Sequence, residues 1–458
     1  MLKLFKMKYY EFDDLLSIEY ANDVEIFDCN QIPKEKLKDY IQLKFDHCET
    51  LKTIINVPNQ ITKLQFSFCE RLETIPEHLP LIELNIGYCS KYVEIPNTLI
   101  NLKKLLLDHV YRLQTLPKEF INLEYLYLAK IKDLEDIPKE YTKLKKLYVY
   151  YSKVLTEIYE YSELEDLYIS TCENLSKLPE KLDKLKGLTV EHETGFNVLP
   201  KTYTNLEYLI IKYNDKIETI PTEYINLNYL RLVEVIKLKE LPNITNLKKL
   251  YLNKLNLKKI PDCYQNLKKM YIDRTNIKGI PIFKNLEKLT FFECKLLKSI
   301  PKNLPKLRYL ECNQCPRLKF IPTEFNLKEL TVGECYNLSK ISNSLNKLEK
   351  LNIYDNNKIS SIPNLSNLKD LSISDCPNIT KIPDTLNKIE SLYLYENNNL
   401  KEIPNLYNLK ELTLFYCNNI TQLPNTFNKL EKIKLRDNKQ LKNIPIRYKR
   451  FLDPNSKI

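Results

Sequence analysis

The sequence predicts an α/β-type repeat solenoid, with one parallel β-sheet on a concave face, mostly extended or turn-like convex segments and little α-helix. Two observations carry this. Apolar residues recur every 20 or 21 positions on one template, Leu-x-x-Leu-x-Leu-x-x-Cys-x-x-Leu-x-x-Ile-Pro, as in Leu164, Leu167, Ile169, Cys172, Leu175, Leu178 and Pro179. A period this short marks stacked supersecondary repeats. The Leu-x-Leu centre of each copy alternates with period two, as a half-buried strand does, and strands recurring at one phase stack in parallel.

The register can be followed along the chain. A degraded copy holds Val24, Ile26, Cys29, Ile32 and Pro33. Further copies start at Tyr40, Ile61, Leu81, Leu102, Leu123, Leu144, Leu164, Leu185, Leu206, Leu227, Leu247, Leu267, Leu286, Leu307, Leu327, Leu348, Leu368, Ile389, Leu409 and Leu430. This gives about 21 repeats over residues 21–445, with residues 1–20 as an N-terminal cap and 446–458 as a short basic cap or tail. The return of each repeat carries Ile-Pro or Leu-Pro, as in Ile75-Pro76 and Leu116-Pro117. Proline fixes its own φ and disfavours the helical region for the residue before it, so the returns are expected to be non-helical. Tyr159 and Ser342 replace the proline, the copies from Leu247 and Leu267 are short after Leu255 and Thr275, and local irregularity is expected around Glu193 to Phe196.

Ten of the 12 cysteines share the column after the strand: Cys29, Cys48, Cys69, Cys89, Cys172, Cys294, Cys315, Cys335, Cys376 and Cys417. Asn214, Asn356, Asn397 and Asn438 hold that column elsewhere, and Val110, Ile131, Ser152, Glu193, Val235, Leu255 and Thr275 depart from it. A buried side chain there can bond turn backbone, well if Asn and weakly if Cys. The cysteines are therefore expected to be structural and reduced, which points to an intracellular protein.

These columns resemble the leucine-rich repeat family, in its short cysteine-containing and bacterial-type variants. The resemblance implies a curved solenoid whose concave sheet binds a protein. With the heavy use of Lys, Asn, Ile, Leu and Tyr, the chain also looks like the leucine-rich repeat proteins of giant amoeba-infecting DNA viruses.

Chemistry-bearing motifs are sparse. No phosphate-binding glycine loop, nucleophile elbow or zinc-protease motif occurs, so no catalytic residue, cofactor or metal is expected. His47, His109 and His192 each follow an acid, but lie three or four repeats apart, roughly 15–20 Å at ~4.8 Å per strand, too far to share a metal. Cys312-Asn-Gln-Cys315 reads as two core thiols. No apolar stretch suits a signal peptide or a membrane span. The net charge is +11, from 70 Lys+Arg against 59 Asp+Glu, yet acids interleave with the lysines, which makes nucleic acid an unfavoured partner.

Exposed strand columns are the remaining signal. Between the inward residues lie Tyr127, Tyr148 and Tyr168, and later Tyr251 and Tyr271; the next columns add Phe68, Tyr88, Tyr150, Tyr151 and Tyr213. Tyrosine combines contact area with one polar atom and favours binding hot spots. The column before the Cys/Asn site turns acidic along the chain, through Glu293, Gln314, Glu334, Asp355, Asp375, Glu396, Tyr416 and Asp437. Its acids would pair with lysines such as Lys350 or with a basic ligand. The function expected is a monomeric, cytoplasmic, non-enzymatic scaffold or adaptor that holds a protein on its concave face. The alternatives are an effector or ubiquitin-pathway adaptor acting through a partner, and a basic nucleic-acid-binding surface.

Overall fold

The computed structural model describes residues 23–27, 41–48, 50–54, 57–89 and 94–456. The expected N-terminal cap, and Cys29, Ile32 and Pro33, lie outside the described residues. The fold is a parallel-strand solenoid with almost no helix: twenty-one strands, and one 3-10 helix at Ile446–Phe451, are found among the described residues. The chain divides into two compact bodies, Met1–Leu164 with Thr171–Leu175, and Glu165–Ser170 with Ser176–Ile458.

The first body holds β1 (Asp23–Phe27), β2 (Gln42–Asp46), β3 (Lys63–Ser67), β4 (Glu83–Gly87), β5 (Lys104–Asp108), β6 (Tyr125–Ala129) and β7 (Lys146–Tyr150). Each pairs in parallel with the next, one repeat further on. The second strand, β8 (Asp166–Cys172), falls at the division.

The second body continues with β9 (Gly187–Thr194), β10 (Tyr208–Lys212), β11 (Tyr229–Val233), β12 (Lys249–Asn253), β13 (Lys269–Asp273), β14 (Lys288–Phe292) and β15 (Tyr309–Asn313). It ends with β16 (Glu329–Gly333), β17 (Lys350–Tyr354), β18 (Asp370–Ser374), β19 (Ser391–Tyr395), β20 (Glu411–Phe415) and β21 (Lys432–Arg436). From β9 to β21 the pairing is again parallel between neighbours.

Most strands are five residues long because the template supplies only one Leu-x-Leu before the turn. The two apolar residues are buried and the three alternating ones face out, as in Leu209 and Ile211 of β10. Below the strand, Ile217, Ile220 and Tyr224 close the same core from the return. The shortened copies keep register by closing the core two residues after the column rather than three, with buried Leu257 after Leu255 and buried Ile277 after Thr275.

The returns contain an arrangement that the template does not show. A buried tyrosine donates its hydroxyl to a proline carbonyl of the preceding repeat: Tyr141 to Pro117 at 2.9 Å, Tyr203 to Pro179 at 2.6 Å, Tyr224 to Pro200 at 2.9 Å and Tyr264 to Pro242 at 2.7 Å. Proline stops the helix, and its carbonyl then anchors the next repeat. At the C-terminal end, Tyr448 continues the series with Pro424 at 2.7 Å. The following segment lies along β21, where the Asp453 N–H donates to the Ile433 carbonyl at 2.8 Å and the Leu435 N–H to Ser456 Oγ at 3.1 Å.

Glu193 does not occupy the inward column. β9 runs long, Glu193 is exposed, and the fully buried Thr194 takes the place one residue later, its hydroxyl donating to the Phe196 carbonyl at 3.2 Å. A carboxylate has no partner in an apolar column, so the chain bulges by one residue.

Candidate interaction surface

At the end of each strand from β2 onward, one residue has positive φ, between 45° and 57°. This is the column that contains His47, Phe68, Tyr88, Tyr151, Tyr213, Glu334, Asp355, Asp375, Glu396 and Asp437. Alternation read it as continuing the strand. The structure corrects that: the residue is a left-handed turn that swings the following side chain, Cys or Asn, under the strand end.

That following side chain holds the turns together. Asn356 Nδ2 donates to the Val332 carbonyl at 2.9 Å and the Tyr354 carbonyl at 2.7 Å, while its Oδ1 accepts the Cys335 N–H at 3.0 Å. Asn397 repeats this with Ile373, Tyr395 and Cys376. The thiols make the donor half of the pattern, as Cys294 Sγ does to the Ile272 and Phe292 carbonyls, both at 3.4 Å. Burial lifts the Cys69 thiol to about 12 and the Cys89, Cys376 and Cys417 thiols to about 11. Neutral thiols are poor nucleophiles and poor metal ligands. Cys312 and Cys315 are both buried, and Cys312 is held well above the ordinary thiol range by desolvation.

On the first body the turn column is an aromatic stack. His47 lies 4.6 Å from Phe68, Phe68 4.7 Å from Tyr88 and Tyr88 4.2 Å from His109, all near parallel. The ring faces are spent on one another, leaving edges and the Tyr88 hydroxyl towards solvent. His47 and His109 each contact the preceding acid, at 3.1 Å to Asp46 and 2.6 Å to Asp108. Among the described residues, no group of three His, Cys, Asp or Glu is placed to hold a metal ion.

The tyrosines between the inward residues do not project. Tyr148 is only 6% exposed, its ring 5.4 Å from that of Tyr125; Tyr127 is partly buried, 5.3 Å from Tyr150, with its hydroxyl pushed up to about 12 by desolvation. On the second body Tyr168 is 8% exposed and donates to Glu191 Oε2 at 2.6 Å. Tyr251 and Tyr271 lie partly buried at 6.1 Å from each other. Neighbouring rings lean diagonally across the pleat, so the expected ridge from Tyr127 to Tyr168 is a flattened surface. The exposed rings are Tyr88 (42%), Tyr213 (47%) and Tyr151 in the turn column.

The turn column of the second body is charged. Glu234 meets Lys254 at 2.6 Å, Arg274 meets Glu293 at 3.0 Å, and Asp437 meets Arg436 at 3.5 Å. Lys350, expected as a partner of the acidic column, instead faces Asp370 at 4.0 Å, at the opposite end of its strand. Between the paired stretches come Glu334, Asp355, Asp375 and Glu396, none with a cation at ion-pair distance among the described residues. Desolvation and the neighbouring Asp375, Glu334 and Glu396 carboxylates push Asp355 above the usual aspartate range. Sequence reasoning passed over Lys254 and Arg274 in this column, although their register alone places them there.

Comparison with known proteins tests the architecture. No protein-family model matches the chain, and no curated protein matches it. Among solved structures, a leucine-rich repeat protein of Leptospira interrogans superposes with a TM-score of 0.51 at 22% identity, over 88% of this chain and 97% of that one. The fold is that of leucine-rich repeat proteins. The Drosophila Toll–Spätzle complex also superposes, with a TM-score of 0.53 at 18% identity, over 90% of this chain and 62% of that one. Among the described residues, no helix is long and apolar enough to cross a membrane.

Proposed function

We propose that this chain is a non-enzymatic scaffold that holds a protein partner on the outward face of its strands. The supporting observation is the turn column. Twenty residues there adopt the left-handed region that favours glycine and asparagine, and none is Gly or Asn. A non-glycine residue in this region costs of order 1 kcal/mol, a strain that clusters at functional positions. Here it sets a continuous row of large or charged side chains along one face. The Toll–Spätzle structure is a complex of a protein with the same fold, which is consistent with a binding role.

The stacked faces of the first body argue against base stacking, and the carboxylates of the second argue against a nucleic-acid backbone. The buried, protonated thiols are compatible with an intracellular protein. The test is capture of partners from source cells by wild type and by a Tyr88→Ala, Tyr151→Ala, Tyr213→Ala variant. A partner held on this face loses at least ~2 kcal/mol of binding if one of these rings is an anchor. Undiminished capture, combined with loss of capture when Val198 and Ile236 on the return segments are changed to Lys, transfers the site to the returns; those two side chains are 66% and 68% exposed.

A further inference from the structure

We infer that the second body binds an extended, lysine- or arginine-bearing peptide segment of its partner across β15 to β19; this deepens the reading above by naming the partner's chemistry. Three independent observations converge there.

Charge compensation fails only at this stretch of the column. Wherever else the turn column carries acid between β11 and β21, a Lys or Arg of the same column or strand neutralises it. Glu334, Asp355, Asp375 and Glu396 occupy four successive repeats, ~4.8 Å apart by strand spacing, without such a cation. Like charges on adjacent strands are destabilising. The chain has a surplus of cations, with a net charge of +11, so neutralising residues are not scarce.

Asn313 on β15 adds an orphaned acceptor. Alternation puts it on the outward face with Tyr309 and Glu311, since Leu310 and Cys312 point inward. Its Nδ2 donates to Glu311 Oε1 at 2.7 Å, and Tyr309 donates to Glu311 Oε2 at 2.7 Å. Asn313 is only 5% exposed, yet its Oδ1 has no hydrogen-bond partner among the described residues. A buried carbonyl oxygen without a donor costs about 1–3 kcal/mol, which a donor from a bound chain would recover.

The outward face then dips. From β16 to β18 the central outward residues are the small Thr331, Asn352 and Ser372, and they floor a shallow cavity of about 230 Å³ that Tyr393 closes on one side. Small polar floor, aromatic end and carboxylate rim suit an extended chain. Its stem lies on the floor, and its ammonium or guanidinium groups reach the rim.

The experiment uses the full chain and a fluorescein-labelled peptide of alternating lysine and serine, long enough to cross four strands. Its anisotropy titration is compared with that of a glutamate–serine peptide. Wild type binds the lysine peptide, more weakly as salt rises, and does not bind the glutamate peptide. Asp355→Asn, Asp375→Asn and Glu396→Gln together weaken binding about tenfold or more. Ser372→Tyr fills the cavity without changing charge, and weakens binding by a similar factor. The inference is overturned if the lysine peptide fails to bind wild type. It is also overturned if both variants bind it as wild type does, or if the neutralised variant unfolds and Ser372→Tyr binds normally. Those results leave a partner that still depends on Tyr88, Tyr151 or Tyr213 in place, so the two readings fail separately.

Discussion

The ring of Tyr354 lies flat over Gly333, in the neighbouring strand, so closely that a Cβ there would sit 2.0 Å from the ring's Cζ. Gly187 beneath Tyr208 is the same device, with the Cβ position 1.9 Å from Cζ. Two of the five glycines in the chain are thus spent on letting an outward tyrosine cross the next strand. Gly333→Ala is expected to destabilise the protein by about 1–3 kcal/mol through overpacking. In a double-mutant cycle, Tyr354→Ala is expected to absorb most of that cost. Additive losses in chemical denaturation would show that the ring is not what Gly333 accommodates.

The tyrosine-to-proline ladder predicts a conservative loss. Tyr224→Phe keeps the ring and removes the donor to the Pro200 carbonyl, and should cost about 1 kcal/mol in thermal or denaturant unfolding. Tyr407→Phe, at an exposed position, should stay within ~0.5 kcal/mol of wild type.

The inward Asn column predicts an ordering of substitutions. Asn356→Ala strands the Cys335 N–H and the Val332 and Tyr354 carbonyls, and should cost at least about 2 kcal/mol. Asn356→Cys should cost less, because a thiol there can donate as Cys335 Sγ does to the Cys312 carbonyl at 3.3 Å. Equal losses for the two would remove the hydrogen-bonding account of why Cys and Asn alternate in this column.

Much of this was legible in the sequence. The strand positions, the inward Leu columns, the non-helical returns and the structural role of Cys and Asn followed from period and alternation alone. The left-handed column was not. Phe68, Tyr88 and Thr171 are residue types that disfavour positive φ, so propensity pointed to strand; only the inward demand of the next column signals the turn. The flattened tyrosines were equally hidden. Alternation says which face a side chain takes, but whether Tyr148 stands up or lies down depends on Tyr125 in the preceding repeat. Glu193 misled because the column was counted without asking whether a carboxylate could enter it.

The acidic column predicts a pH-dependent effect. Asp355 has its folded pKa raised above the ordinary 3.8, so deprotonation costs stability. The protonated form's advantage is fully present below that ordinary value and is lost as pH rises through the raised folded pKa. Asp355→Asn should therefore be more stable than wild type at neutral pH, with the gain disappearing as pH falls below 3.8. A gain that persists unchanged into acid would rule out carboxylate repulsion as its source.

The claim that a partner lies on the outward face of the strands is tested most directly by photocrosslinking in source cells. A benzophenone amino acid is introduced singly at Tyr88, Tyr213 and Asp375 on that face, and at Val198 and Ile236 on the returns. The account predicts a discrete protein adduct from face positions and none from the returns. Adducts from Val198 or Ile236 alone, with the face positions silent, would contradict it.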